Sequence, residues 1–135
     1  MKETETITNF DIDPERALFE GHVDGLAITC YENERPLHGL IGLLDWRVHG
    51  EISYFVRSGA ITGKEGECIY FPHKKNNCIY HLILVGGGET TSFGVRTFPS
   101  DISINKLKEN LNKLGLKKTG LSRSDFGNPT DPVLQ

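Results

Sequence analysis

Val23-Asp24-Gly25-Leu26-Ala27-Ile28-Thr29-Cys30-Tyr31 is a short, apolar and partly β-branched run that does not alternate between wet and dry positions. A strand exposed on one face would alternate; this one suits a strand covered on both faces, as in a parallel sheet. Asn33 to Pro36 then break it. A second run of the same kind, Ile79-Tyr80-His81-Leu82-Ile83-Leu84-Val85, closes at Gly86-Gly87-Gly88 and reads as a central strand. It follows Glu67 to His73 across the polar turn Lys74-Lys75-Asn76-Asn77, so the two segments read as a hairpin.

Helical spacing fills the gaps between these strands. Leu37, Leu40, Ile41, Leu44, Val48, Ile52, Phe55 and Val56 recur at steps of three and four, which predicts one amphipathic helix ending before Gly59. Gly39, Gly42 and Gly50 each cost such a helix up to ~1 kcal/mol relative to Ala, so its first turns read either as loop or as a site of close packing. Ile104, Leu107, Leu111 and Leu114 mark another helix, with Asp101 or Ser103 as candidate caps and Gly115 as the left-handed residue after its end. An alternating piece around Ile7 to Ile12 could add an edge strand before Pro14, and the tail from Lys117 reads as a weak strand at most. Strand, helix, strand, strand, helix gives an α/β sheet with helices packed on its faces.

A chain of 135 residues suits one core, and the expectation is a single domain over 1–135 with an acidic extension at about 1–22 and a loose tail at about 120–135. No apolar run approaches the ~20 residues that cross a bilayer, and the first residues lack the pattern of a secretory signal. Three cysteines, Cys30, Cys68 and Cys78, cannot all pair within one chain; free thiols in a reducing compartment, the cytoplasm, are the expectation. The net charge of -3 argues against a general nucleic-acid binder. Acids crowd residues 1–34, whereas Lys106, Lys108, Lys113, Lys117, Lys118 and Arg123 make the last third basic. Two solvated faces of opposite sign account for this, with an anion-binding or partner-binding basic face as the alternative.

Four sets of residues resemble chemical sites. Cys68, His73, Cys78 and His81 form one cluster, in which Cys68-x4-His73-x4-Cys78 matches the last three ligands of a zinc knuckle, but Glu65 stands where the remaining cysteine is needed, and strand parity points Cys68 and His73 to opposite faces. Gly86, Gly87 and Gly88 lie where the carboxyl end of a buried strand meets a loop, the usual ligand edge of an open α/β sheet, and could cradle a phosphate with backbone amides. Against that, no Gly-Lys-Ser/Thr follows and Glu89 would repel an anion. Ser103-x-x-Lys106 and Lys118-Thr119-Gly120 echo fragments of penicillin-binding enzymes in a chain too short to hold them apart. Asp45 and His49 at i, i+4 could orient an imidazole, or simply belong to a solvated polar face with Arg47 and Glu51. No catalytic or metal-binding set emerges, and no cofactor is expected.

Asp24-Gly-Leu-Ala-Ile28, Gly42-Leu-Leu-Asp-Trp-Arg47, Gly50-Glu-Ile-Ser53, Gly63-Lys-Glu-Gly-Glu67 and Leu82-Ile-Leu-Val-Gly86 together resemble the N-terminal domain of the leucyl aminopeptidases, over roughly residues 23–115. The resemblance implies a macro-domain-like three-layer α/β/α fold with a mixed central sheet. It also implies a non-catalytic chain, because that family's metal ligands, catalytic lysine and arginine lie in a second domain. The family's N-terminal domain is associated with subunit contacts and, in some bacterial members, with DNA. The more distant macro-domain likeness implies a rival reading as a binder of ADP-ribose, another nucleotide or phosphate. Asp24 stands where macro domains recognise adenine, but Thr29-Cys-Tyr-Glu-Asn-Glu34 and Leu40-Ile-Gly-Leu-Leu-Asp-Trp46 depart from the asparagine-rich and glycine-rich segments of those domains.

Two functional expectations follow. The first is a binding or assembly module that uses a surface near Trp46, Arg47 and Tyr54, on the helix face away from the apolar stripe; its partner would be a second copy or another protein, such as a separately encoded aminopeptidase. The second is a small-ligand site at the carboxyl edge of the sheet, with Asp24, Gly86, Gly87 and Gly88 as contacts.

Overall fold

The computed structural model describes residues 7–9, 14–21, 23–37, 39–75, 77–90, 98–116, 119–121 and 126. Lys118, Arg123, the end of the loop at Thr91 and Ser92, and the tail from 127 lie outside the described residues. The elements run β1 (Ile7–Asn9), α1 (Pro14–Phe19), β2 (Gly25–Tyr31), α2 (Gly39–Arg47), α3 (Glu51–Ser58), β3 (Cys68–Lys75), β4 (Cys78–Gly88), α4 (Asp101–Leu114) and β5 (Thr119–Leu121).

The strands form one mixed sheet in the order β1-β5-β2-β4-β3. β2 pairs in parallel with β4 on one side and β5 on the other, β5 pairs in parallel with β1, and β3 runs antiparallel to β4. Every residue of β2 is buried, as its unbroken apolar run requires. The two faces of the sheet carry separate clusters. Leu26, Ile28, Cys30, Leu82 and Leu84 pack with Leu18, Ile41, Leu44, Val48 and Ile52, which places α1, α2 and α3 on one face. Ala27, Ile83, Val85 and Leu121 pack with Ile104, Leu107 and Leu111 of α4 on the other. The result is a three-layer α/β/α architecture.

The helix expected over residues 37–56 is two. All eight positions of its apolar stripe still reach the core, but the chain breaks at Val48-His49-Gly50. Gly50 N–H donates to the Asp45 carbonyl at 2.8 Å and His49 N–H to that of Trp46 at 3.2 Å. Those two bonds are the closing pair of a helix that ends on a left-handed residue. Here that residue is His49, at φ 60, where glycine is usual, and Gly50 follows at φ 80.

Two other differences concern ends. The cap of α4 is Ser100, one residue before Asp101 and three before Ser103; its hydroxyl accepts the Ser103 N–H at 3.5 Å. The segment read as a weak strand in a loose tail is interior: β5 lies between β1 and β2, with Thr119, Gly120 and Leu121 all buried and Phe126 only 3% exposed. Three residues carry too little pattern to announce a strand, and what makes this one is the slot between two others. The segment read as an acidic extension likewise supplies β1 and α1.

Candidate functional site

The carboxyl edge of the parallel strands holds the glycine run, and the protein itself occupies it. Gly86 N–H donates to the Glu67 carbonyl at 2.7 Å and Gly88 N–H to that of Gly63 at 2.9 Å, so neither amide is left for a phosphate. A Cβ on Gly86 would overlap the Lys64 carbonyl oxygen, and one on Gly87 would overlap the ring of Tyr31. The loop that closes over this edge is held by Glu67, whose carboxylate accepts from Thr62 Oγ1 at 2.8 Å and from the amide of Gly63 at 2.6 Å. Gly86 and Gly87 are therefore needed for close packing of backbone and ring, and the amides of Gly86 and Gly88, expected to face an anion, are engaged with the protein's own carbonyls.

Asp24 does not join them. It precedes β2, whose first residue pairs with His81, whereas Gly86 and Gly88 pair with Cys30 and Tyr31 at the other end. Six residues of extended chain separate the two ends, about 20 Å. The four residues expected to share one ligand lie at opposite edges of the sheet.

The buried serine of α4 is structural as well. Ser103 Oγ donates to the Gly86 carbonyl at 2.7 Å and accepts the Gly66 N–H at 2.8 Å, which ties α4, β4 and the closing loop together. Its proton and one lone pair are engaged with backbone, while Lys106 is exposed. Asp45 also faces Ser53, backbone amide and hydroxyl, rather than an imidazole. It accepts from Ser53 N–H at 2.9 Å and Ser53 Oγ at 2.6 Å. Gly50 at the start of α3 has no side chain to cap it, so a carboxylate from the preceding helix does so and meets the positive end of the α3 dipole.

The hairpin keeps the sulfur and imidazole groups apart. Cys68 pairs with Val85 and Cys78 with Lys75, seven residues along the strand or roughly 23 Å. Cys68 and His81 share the α4 face, while His73 lies on the other, 3.9 Å from Glu51 of α3. Burial pushes the Cys68 thiol up to about 11. Among the described residues no group of three or more His, Cys, Asp or Glu side chains could hold a metal ion, and no helix is long and apolar enough to cross a membrane.

One surface feature remains. Trp46 is 73% exposed and Leu43 is 39% exposed, both on the outer side of α2. The Arg47 guanidinium lies 5.5 Å from the ring centre of Phe19 and 6.0 Å from that of Trp46. Tyr54 is exposed too, but it belongs to α3, beyond the break, and stacks edge-on to Phe55 at 5.3 Å. The three residues expected on one helix face are thus divided between two helices. Leu43 continues the patch; a lone leucine outside the apolar stripe carries no signal in a sequence.

No family model and no curated protein matches the sequence. Among solved structures, a variant of tomato leucine aminopeptidase superimposes on 97% of this chain with a TM-score of 0.62 and 16% sequence identity. The match spans 25% of that chain. The fold of this protein is that of one part of a leucine aminopeptidase.

Proposed function

We propose that the chain is a non-catalytic binding or assembly module, with the outer side of α2 as its working surface. The observation that carries this reading is the exposure of Trp46 and Leu43 on a helix whose inner side is already filled by Ile41 and Leu44. Trp and Arg dominate the energetic centres of interfaces, where a large ring can be desolvated at little entropic cost. The fold likeness supports the reading, since the chain spans only a quarter of the aminopeptidase it resembles. The partner is a second copy of the chain or a separately encoded aminopeptidase.

Trp46 is the single tryptophan, so its fluorescence reports directly on this surface. Light scattering on the purified protein, together with pull-down from native cytoplasm, is expected to reveal a dimer or a captured peptidase. Partner binding should shift the Trp46 emission to the blue, and Trp46→Ala should abolish the association while preserving the fold. A strict monomer that captures nothing, with unchanged emission, sinks the proposal.

A further inference from the structure

α4 covers only part of its side of the sheet. The chain leaving it leans towards β2, where a Leu116 methyl carbon lies 3.0 Å from the place a Cβ on Gly25 would take, and the turn end of the β3–β4 hairpin is left bare. Ile69 and Phe71 of β3 pack towards the three-helix side and Cys68 towards α4, so alternation turns Tyr70, Pro72 and Lys74 to the α4 side. Ile79 and His81 of β4 share that side with Ile83 and Val85. Tyr70, Pro72 and Ile79 are exposed there, Ile79 by 53%. The patch is held in place: the Tyr70 hydroxyl and His81 Nδ1 are hydrogen-bonded at 2.5 Å, and their rings stack with centres 5.8 Å apart.

The wall beside this patch is basic. Lys106, Asn110 and Lys113 recur at helical spacing along one side of α4, and Asn110 reaches the Cys68 thiol, which sets that side against β3. Lys106 and Lys113 stand about 10 Å apart along the helix axis. Both are exposed, as is Lys74, and none of the three forms an ion pair among the described residues. Glu109 falls on the opposite side of α4 from the buried Leu107 and Leu111, away from the sheet. Asp24, beyond His81, is already engaged within the chain. The uncompensated charge around the patch is therefore positive. A strand is denied the free edge of β3, because Pro72 and Lys74 hold its outward positions. A helix asks nothing of the sheet's backbone, and one packed about 8–10 Å from α4 lies over the bare flank of β3.

We propose that this surface receives an acidic amphipathic helix of a partner protein, laid beside α4 with its apolar side on Tyr70, Pro72 and Ile79. Its carboxylates, at the seven-residue spacing of Lys106 and Lys113, would face those two lysines. This is independent of the α2 surface.

The test is titration of the full ¹⁵N-labelled chain with amphipathic helical peptides of about 18 residues, five turns, that carry Leu, Phe or Tyr on one side and Glu on the flank. The same peptides with Lys in place of Glu, and a single-stranded oligonucleotide, serve as controls. Saturable amide shifts at Tyr70, Ile79 and Lys113 are expected with the acidic peptides. The double substitution K106Q/K113Q should weaken binding at least about five-fold, the effect of two exposed ion pairs, and Ile79→Asp should weaken it independently. Amides away from the patch should stay unmoved in both variants, which shows the fold intact, and Trp46→Ala should leave the titration unchanged. No shift with any acidic peptide, equal binding of the Lys peptides, tighter binding of the oligonucleotide, or indifference to K106Q/K113Q each overturns the proposal.

Discussion

Asp45 illustrates how a residue with the chemistry of a catalyst can serve as a cap. Replacing it with Ala removes two acceptors from the first turn of α3 and should cost about 1–2 kcal/mol, measured by urea denaturation. His49→Gly should stabilise by up to about 1 kcal/mol in the same assay, because it relieves a left-handed backbone that glycine adopts freely. Ser103→Ala should cost about 1–3 kcal/mol, since it strands the Gly86 carbonyl and the Gly66 amide. The cysteines should react in the order of their surroundings: Cys78, exposed, first; Cys68 slowly, because desolvation keeps it a thiol at pH 8; Cys30, buried, last. Alkylation followed by peptide mass spectrometry gives that order directly. The raised Cys68 group also has a sign for stability. The unfolded thiol ionises near pH 9 and the folded one near 11, so folding loses stability as pH rises through that window and gains nothing below it. Tyr70, raised by burial, acts in the same direction at higher pH.

β3 is an edge of the sheet, and its composition controls that edge. The Gly86 N–H bond to Glu67 sets the phase of the ladder, so odd-numbered residues from 67 bond to β4 and even-numbered ones turn their backbone groups outward. Pro72 falls on an outward position, where it removes a donor from the free edge without cost to the hairpin, and Lys74 follows on the next. Pro72→Thr should therefore leave the monomer folded and raise self-association, read by sedimentation at increasing concentration; an unchanged sedimentation coefficient would mean the edge is guarded by something else. At the glycine run, Gly86→Ala should prevent folding, because its methyl group would occupy the position of a backbone oxygen and no side chain can move aside.

Across the whole molecule, the sheet order makes the two ends of the chain unequal. β1 is an outer strand, and its loss leaves the remaining four strands contiguous; β5 lies between β1 and β2, and its loss exposes the flank of β2 and detaches β1 at once. Removing residues 1–9 should lower the melting temperature, whereas truncation after Leu116 should abolish cooperative unfolding, as followed by circular dichroism. The same geometry limits function. One edge of the sheet is closed by the 61–67 loop, the other is an open cleft, and the exposed apolar side chains of α2 lie on a third surface.

Local pattern determined whatever depends on neighbours in the chain. Continuous apolar runs marked β2 and β4 as buried strands, spacing of three and four brought Leu37 through Val56 to the core, and the polar turn at residues 74–77 announced the hairpin. Tertiary structure alone decided what depends on distant residues. Thr119–Leu121 became an inner strand because β1 and β2 leave a slot for it. The helix broke at His49 because Asp45 can cap the second half from the first. Asp24 parted from the glycines because β2 and β4 run parallel, a relation that burial of both faces suggests but register alone establishes. Side-chain periodicity is a property of a few successive residues, whereas which strand lies beside which is settled by packing across the entire core.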